Sequence, residues 1–152
     1  MPRIDFDSAT LPDFERRVAA IASTESRQWG TMSLAQMLAH LRLGFEISLE
    51  ERETKDESRA WLLPVVWMLM FRVFTRWPKG VIKASSQFLD DSAEDIEAER
   101  TQLLESMHRF VERSASEPDR IVLEPMLGRI SLKKWQRLHG VHTDYHLRQF
   151  DA

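Results

Sequence analysis

The C-terminal segment from Trp135 to Phe150 places histidines on a helix face that a folded chain normally buries. His142 and His146 are four residues apart, so in a helix their side chains lie one above the other. Burying imidazoles is costly unless they are hydrogen-bonded or bind a ligand. Two histidines at this spacing can reach one metal ion, as in other helical two-histidine sites. The fold must therefore supply this face with partners, and a metal ion is the leading one. The same face carries Trp135, Leu138, His139 and Gln149.

A second helical segment supplies a third inward-facing histidine, His40. Ser33 is predicted to be its N-cap, and the helix is predicted to run to about Leu49. At about 100° per residue, Arg42 and Glu46 project more than about 100° away from His40. A histidine opposite the charged side of an otherwise apolar helix is expected to point into the core. It shares its side with Gln36, Met37, Gly44 and Ile47.

Each of these histidines also has a simpler interpretation. His40 alone is more often a hydrogen-bonded core histidine than a ligand, and a pair such as His142 and His146 also occurs by chance on surface helices. Taken together, with both helix faces directed inward, they favour a metal site. Three histidines with water in the fourth position are the composition of an open zinc-type site. Nickel, iron and cobalt also accept imidazole nitrogens, so the ligands do not choose the metal.

Three further polar residues are predicted to support the ligands. Gln149 lies one turn beyond the last histidine of the trio, and Gln36 lies one turn before the first. From such positions an amide can orient a ligand or a bound water. His139 is seven residues from His146, about 10 Å along the axis, which is too far to share an ion with it. A supporting or plain core position is predicted for His139, with replacement of His146 as the partner of His142 as the alternative.

No carboxylate shares the ligand faces of the two helices, because Asp144 points away from His142 and Glu46 points away from His40. Glu124, before the last helix, is the nearest candidate for a general base, but an ordinary surface position is favoured for it. His108 has no companions and is not predicted to be a ligand. A cluster of cationic residues is predicted to be solvated surface. The alternative is that these residues form the mouth of the pocket and hold an anionic thiol there. The members of the cluster are Arg72, Arg76, Lys79 and Lys83.

Helical signals dominate the remaining sequence. Pro12 and Asp13 open a first helix. Ser92 with Asp95 resembles the capping box of a long helix, and Ser131 is predicted to cap the histidine-bearing one. The segments 114–119 and 125–131 are predicted loops, and no convincing alternating strand pattern is found. The chain is therefore predicted to be an all-α bundle of four or five helices.

The apolar run 60–74 is predicted to be a buried bundle helix kinked at Pro64. It is shorter than the roughly 20 apolar residues that span a bilayer and it carries Arg72, so no stable membrane insertion is expected. Its large side chains exceed what one narrow stripe can bury. A homodimer face and a lid over the pocket are the alternatives, and interfacial membrane attachment is a minor one. These side chains are Trp61, Trp67, Met68, Met70 and Phe71.

Composition narrows the class of protein. The 152 residues fit one domain, 1–152, that can bury a real core. Hydrophobic residues make up 43% and charged residues 30%, which is typical of a soluble globular protein. The net charge of -3 gives no electrostatic case for nucleic acid, and no nucleic-acid partner is expected. The chain has no cysteine, so a metal must use nitrogen or oxygen ligands. The first seven residues lack the apolar core of a signal peptide, and a cytoplasmic location is expected.

Two motifs surround the predicted ligands. They read Trp29-Gly30-x-Met32-x-x-x-Gln36-Met37-x-x-His40-Leu41 and Trp135-x-x-Leu138-His139-x-x-His142-x-x-x-His146-Leu147-Arg148-Gln149-Phe150. Together they resemble the DinB-like superfamily, and more narrowly a bacterial subfamily of unknown function within it. The resemblance implies a four-helix bundle in which His40, His142 and His146 hold a divalent ion between the second and last helices. Tyr145 stands where the subfamily usually has a histidine, and Glu124-Pro125 stands where it usually has His-Pro.

The resemblance also implies a range of activities. Characterised members of the superfamily include metal-dependent transferases that use low-molecular-weight thiols and a thiol-dependent isomerase. The chemistry is compatible, because a bound divalent ion deprotonates a coordinated thiol and lowers the pKa of coordinated water toward about 7. The expected function is that of a metal-dependent thiol S-transferase or hydrolase acting on a small molecule. A non-catalytic metal- or ligand-binding bundle is the alternative.

Overall fold

The fold is mostly helical. The structure is a computed structural model and describes residues 4–24, 27–80 and 83–152. The first seven residues were used to predict a cytoplasmic location, and residues 1–3 among them lie outside these ranges. Within them there are five α-helices and one two-stranded antiparallel sheet, so the prediction of a helical chain is confirmed. The helices are α1 (Leu11–Ala20), α2 (Leu34–Ser48), α3 (Leu63–Met68), α4 (Ile96–Ser116) and α5 (Leu132–Gln149). The strands are β1 (Ile121–Glu124) and β2 (Gly128–Ser131), while a π-helical turn (Leu69–Val73) extends α3 and a 3₁₀ turn (Ser86–Phe88) precedes α4.

Side-chain caps set where the two histidine-bearing helices begin. At the start of α2 the Ser33 hydroxyl accepts a hydrogen bond from the Gln36 amide, and the Gln36 side chain accepts one from the Ser33 amide. This reciprocal capping box satisfies two backbone donors that the first turn leaves free. Ser131 caps α5 by accepting from the backbone amide of Lys134. The predicted starts of both helices are confirmed, and they fix the side on which each histidine lies.

The hydrophobic core lies between α1, α2, α4 and α5, which contact one another. Its centre is a cluster of phenylalanine rings contributed by three helices and the N-terminal segment. The ring of Phe6 lies 4.8 Å from both Phe14 and Phe45, measured between ring centroids, and Phe110 lies 5.6 Å from Phe45. Each of these side chains is at most 1% exposed. Burying one such ring contributes roughly 1.5–3 kcal/mol, so this cluster holds the helices in register.

The charged side of α2 is directed away from its histidine, as predicted, but it packs against α4. Arg42 bonds Glu46 on its own helix at 2.8 Å and Glu99 on α4 at 2.7 Å. Arg42 is only 6% exposed and the Glu99 side chain 13%, so the pair bridges two helices largely shielded from water. A buried guanidinium needs such partners because an unpaired one would carry a large desolvation cost. The bridge fixes the rotation of α2 and therefore the direction of His40.

Two local predictions about the second half of the chain are wrong. The segment before α5 forms a hairpin in which Ile121 pairs with Ser131 and Glu124 with Gly128. Four residues are too few for an alternating pattern to stand out, and Gly128 supplies the positive φ of 75° that the turn needs. The predicted capping box is also absent, because Asp95 caps α4 from the Ala98 amide at 3.0 Å. Ser92 instead hydrogen-bonds Asp90.

The apolar run 60–74 is not a buried kinked helix. Pro64 lies in the first turn of α3, where a missing amide hydrogen costs nothing, so it begins the helix. No residue of this run is buried. One side of the run faces solvent, and the other lies over the rest of the protein. The exposed side chains are Trp61 at 76%, Val65 at 51%, Met68 at 49% and Val73 at 54%. In the described part of the chain, no helix combines the length and apolarity needed to cross a membrane.

Candidate metal centre

His40, His142 and His146 converge between α2 and α5. One nitrogen atom from each ring lies within 4.8 Å of the others, so the three could hold a metal ion. The Nε2 atoms of His40 and His142 are 2.8 Å apart. The three ring centroids are separated by 4.6–4.8 Å, and the ring planes meet at 76–85°. Three nearly perpendicular rings with convergent nitrogens suit coordination of one ion better than ring stacking.

Hydrogen bonds to the outer nitrogens decide which ring nitrogen is free. His40 Nδ1 lies 2.8 Å from the carbonyl oxygen of Phe88, which can only accept, so Nδ1 carries the proton. His146 Nδ1 lies 2.9 Å from Gln149 Oε1, and the amide nitrogen of Gln149 donates to the Trp29 carbonyl at 2.7 Å. The amide orientation is thereby fixed, and His146 Nδ1 must donate as well. His40 and His146 then present their Nε2 lone pairs, as metal-bound histidines do.

Burial keeps these histidines neutral. Desolvation lowers the pKa of His40 below its usual 6.5. It lowers the pKa of His146 to about 3, and that of His142 well below 6.5, in both cases with a further contribution from neighbouring imidazoles. Neutral imidazole is the form that coordinates a metal. The set of donors therefore fits a divalent ion at neutral pH without prior loss of a proton.

The distance between His40 and His142 is a second test of fit. With the lone pair of His40 directed inward, two nitrogens at 2.8 Å need a proton or a cation between them. A tetrahedral zinc ion with bonds of 2.0–2.1 Å would hold its nitrogens about 3.3 Å apart. Reaching that spacing requires a shift of a few tenths of an ångström. This pair of nitrogens can therefore hold an ion of this size after a small shift.

A cavity of about 1030 Å³ adjoins the three histidines. His142 is only partly covered by protein, while His40 and His146 are buried. Such a volume is ample for a small-molecule ligand. The lining is largely apolar and comes from the two histidine-bearing helices, the run 60–74 and the segment around Trp77. Apolar lining residues include Trp29, Leu62, Leu63, Val66, Met70, Trp77, Phe88, Met126, Leu127 and Trp135, and polar ones include Gln36, Arg59, Lys83 and Glu124.

Tyr145, which departs from the subfamily pattern, ties two loops to α5. Its hydroxyl oxygen accepts from Trp29 Nε1 at 3.2 Å and from the Gly80 amide at 2.9 Å. Its ring stands perpendicular to His146, with 5.0 Å between centroids. The backbone partners of the site, at Phe88 and Trp29, were missed from sequence because any residue type offers a carbonyl. Sequence patterns carry no signal for such contacts.

His139 and Gln36 line the cavity but bond to other groups. The hydroxyl of Ser48 donates to the Phe45 carbonyl at 2.7 Å, so its oxygen accepts from His139 Nε2 at 2.9 Å. The His139 ring stacks on Phe45 at 4.0 Å between centroids. Gln36 caps α2 and donates from Nε2 to the Asp91 carbonyl at 3.3 Å. The supporting role predicted for these two residues stays a prediction, whereas Gln149 bonds the candidate ligand His146 directly.

Glu124 does not occupy the surface position favoured from sequence. It is 4% exposed, and its Oε2 atom accepts from the backbone amides of Met126, at 2.8 Å, and Leu127. Burial raises the pKa of Glu124 to about 7, although the two amide hydrogen bonds act in the opposite direction. The residue lines the same cavity as the three histidines. A hairpin was not expected here, and without its turn nothing in the sequence indicated burial of this carboxyl group.

Among the described residues, the other charged side chains considered from the sequence do not belong to the three-histidine group. Asp144 is buried on the other side of α5, where it bonds Arg17 at 3.1 Å and Arg148 at 2.9 Å. His108 is exposed on α4 and pairs with Glu15. The predicted cationic cluster is exposed. Three members have specific neighbours: Lys79 lies over the Trp29 ring, Lys83 lines the cavity, and Arg76 lies 3.8 Å from the Asp144 carboxylate.

Comparisons with known proteins give one family match. No curated protein and no solved structure matches the chain. A family profile does, over residues 3–152, and its description is a protein of unknown function. Because the match spans nearly the whole sequence, the chain belongs to the DUF1569 family.

Proposed function

We propose that this protein binds one divalent metal ion through the Nε2 atoms of His40, His142 and His146, and uses it in a reaction on a small molecule. The observation that carries the proposal is the pair of outward hydrogen bonds from His40 to Phe88 and from His146 to Gln149. They leave the Nε2 atom of each of these two rings without a proton, so that it can donate a lone pair to an ion. Burial also lowers the pKa values of both rings and keeps them neutral, so neither ring acts as the cation of an ion pair.

The cavity supports a reaction in addition to metal storage. Structural zinc sites are closed by four protein ligands, whereas catalytic ones keep a position for water or substrate. In the described residues the candidate ligand group consists of three histidines and contains no carboxylate. His142 is partly uncovered, and the histidines line a largely apolar cavity. A fourth position directed into this cavity would meet a bound small molecule.

The surrounding residues favour a nucleophile that needs little help from a protein base. Asp144, the carboxylate nearest in sequence to the ligands, is paired with three arginines on the far side of α5. A bound divalent ion deprotonates a coordinated thiol and acidifies coordinated water. Together with the resemblance to the DinB-like superfamily, this supports transfer of a low-molecular-weight thiol to a small electrophile. The chain itself supplies the three nitrogens, their orientation and an apolar enclosure.

Metal binding is tested first. Protein purified without an affinity tag should contain about one divalent ion per chain by elemental analysis, removable by a chelator. His142→Ala should lose the ion while circular dichroism remains helical. His108→Ala is the matched control, because it removes an exposed histidine on α4 and should keep the ion. Full occupancy in the His142 variant would contradict the assignment.

Catalysis is tested separately. The metal-loaded protein should accelerate conjugation of a chlorinated aromatic or an epoxide with glutathione, bacillithiol or mycothiol. In that reaction a carbon–sulfur bond forms, chloride leaves or the epoxide carbon–oxygen bond opens, and the thiol proton is released or reaches the opened oxygen. His142→Ala should show only the rate of buffer. If the metal binds and no thiol reacts faster than in buffer, the protein is a non-catalytic metal- or ligand-binding bundle.

A further inference from the structure

The carboxyl group of Glu124 has one bonded oxygen and one free oxygen. Its Oε2 atom accepts two backbone hydrogen bonds from the hairpin turn. Its Oε1 atom bonds no group in the described part of the chain, and it is not among the fully covered side-chain atoms that lack a partner there. Since Glu124 is 4% exposed and lines the cavity, the remaining accessible surface of Oε1 opens into that cavity. A buried carboxyl oxygen without a partner is costly unless a ligand or water bonds it.

The strand that carries Glu124 contacts α5 about two helical turns before His142. It is joined to α5 through Trp135, whose Nε1 donates to the Val122 carbonyl at 3.4 Å. Trp135 precedes His142 by seven residues, which is about 10 Å along the helix axis. Glu124 is also absent from the group of side chains close enough to share an ion. The carboxyl group is therefore too distant to be a ligand and faces a different part of a bound molecule.

The cavity wall between the histidines and Glu124 is mainly apolar. The run 60–74 contributes Leu63, Val66 and Met70 to it, and α5 contributes Trp135. Apolar surface of this kind binds hydrocarbon or aromatic groups by removing them from water. A ligand that reaches from the histidines to Glu124 must therefore have an apolar middle.

We infer that Glu124 is the second anchor of the ligand, which is an elongated molecule with a metal-binding group at one end, an apolar middle and an amine at the other. This inference rests on the proposed metal site. It adds a specificity-determining residue and a class of substrate to it. Glu124 binds the amine through Oε1, while Oε2 stays bonded to the hairpin.

The charges around Glu124 favour an amine over an acid. Glu57 also lines the cavity, and its backbone amide donates to the Pro125 carbonyl at 2.8 Å, next to Glu124. Glu57 and Asp56 both add to the rise in the pKa of Glu124 to about 7, which burial mainly causes. Arg59 and Lys83 are the cations among the described residues that line the cavity. A ligand ammonium group would offset the three carboxyl groups and stabilise the charged form of Glu124.

Two synthetic probes test the inference on the metal-loaded protein. One is an alkyl hydroxamate that ends in a primary amine, with an extended chain matching the helix spacing of about 10 Å. The other has the same length and ends in a methyl group. Hydroxamate binds the ion in both, so their difference in affinity reports the far end alone. A charge-assisted hydrogen bond there should favour the amine by about tenfold.

Glu124→Gln should abolish this preference. The variant keeps an amide oxygen for the hairpin amides, so the fold should survive, and its melting temperature and circular dichroism check this. Glu57→Gln removes the same charge from an exposed residue beside Glu124, and it should lose only a small part of the preference. Calorimetry gives both affinities for each protein.

The outcomes separate this inference from the metal assignment. Wild-type protein without metal would overturn both. Bound metal with equal affinity for the two hydroxamates would overturn the role of Glu124 alone. The same holds if a folded Glu124→Gln variant keeps the preference, or if Glu57→Gln loses it while Glu124→Gln does not.

Discussion

The imidazole of His146 and the side-chain amide of Gln149 are joined by a hydrogen bond of 2.9 Å between Nδ1 and Oε1. The two residues lie one turn apart at the end of α5, and the amide nitrogen of Gln149 reaches across to the Trp29 carbonyl. One glutamine thus connects a candidate ligand to the loop before α2. The chain Trp29–Gln149–His146 orients the ring from outside, and it makes the metal site sensitive to changes in that loop.

Gln149→Ala should weaken metal binding by about 10- to 100-fold, as expected when a partner of a ligand histidine is lost. Competition with a chromogenic chelator measures the affinity. Gln36→Ala is the matched control, since Gln36 lines the same cavity and caps α2 without bonding His40. It should lower the free energy of unfolding by about 1 kcal/mol and leave metal affinity nearly unchanged. Equal losses of affinity in both variants would instead support the role predicted for Gln36 from sequence.

Gly30→Ala should disturb the site without touching a ligand. Gly30 has a φ of 85°, and a Cβ atom added there would lie 2.1 Å from Gln149 Nε2, so the amide would have to move. Gly80→Ala places alanine at a similar positive φ of 70°, and no atom of the described residues lies within 4 Å of the new Cβ. Both variants should lose about 1–2 kcal/mol of stability from the backbone alone. Only Gly30→Ala should also weaken metal binding, and equal affinities in the two variants would contradict the link through Gln149.

His139→Phe should separate the core histidine from the ligands. The phenyl ring keeps the stacking on Phe45 but loses the hydrogen bond to Ser48, so stability should fall by about 1 kcal/mol. Elemental analysis should still give one ion per chain, and affinity should change less than in Gln149→Ala. Complete loss of the ion would mean that His139 and His142 form the ligand pair, the alternative that the sequence left open.

The sequence was most informative where a pattern repeats over a long helix. The helices bearing His40 and His142 begin at the predicted caps, Ser33 and Ser131, and their inward sides were predicted from the helical period alone. Because both helices direct their histidines inward, the three imidazoles come together once the helices pack. Short elements were missed, because a four-residue strand such as Ile121–Glu124 offers no periodicity to detect.

The partners of the site could not be predicted for a different reason. Phe88 contributes a carbonyl from a 3₁₀ turn that is far in sequence from both histidine-bearing helices. Backbone groups of this kind leave no signature in side-chain patterns. Glu124 is buried because the hairpin closes over it, which depends on tertiary packing. The run 60–74 was predicted to be buried on composition alone. Its exposed face shows that apolar content does not determine which side of a short helix packs.

Acidification should destabilise the metal-free protein. Burial lowers the pKa values of His40, His139, His142 and His146 below the 6.5 expected in the unfolded chain, to about 3 for His139 and His146. Below pH 6.5 the unfolded chain therefore binds protons that the folded one does not. The contribution of these histidines to stability is fully present above pH 6.5. It falls as the pH drops, by up to about 1.4 kcal/mol per pH unit for each histidine.

Glu124 acts with the opposite sign. Its folded pKa of about 7 exceeds the usual 4.5, so its contribution to stability is present below pH 4.5 and is lost as the pH rises through 7. Over this pH range the stabilising effect of acid on one carboxyl group is smaller than its destabilising effect on four histidines. Urea unfolding of the metal-free protein should therefore show a net loss of stability from pH 6.5 down to about 4.5. Glu124→Gln should steepen that loss and His139→Phe should reduce it, because each removes one group from the balance. Adding a divalent ion should hold stability to lower pH, since the ion competes with protons for the same nitrogens. A metal-free protein whose stability rose steadily from pH 6.5 to 4.5 would contradict the burial of these neutral histidines.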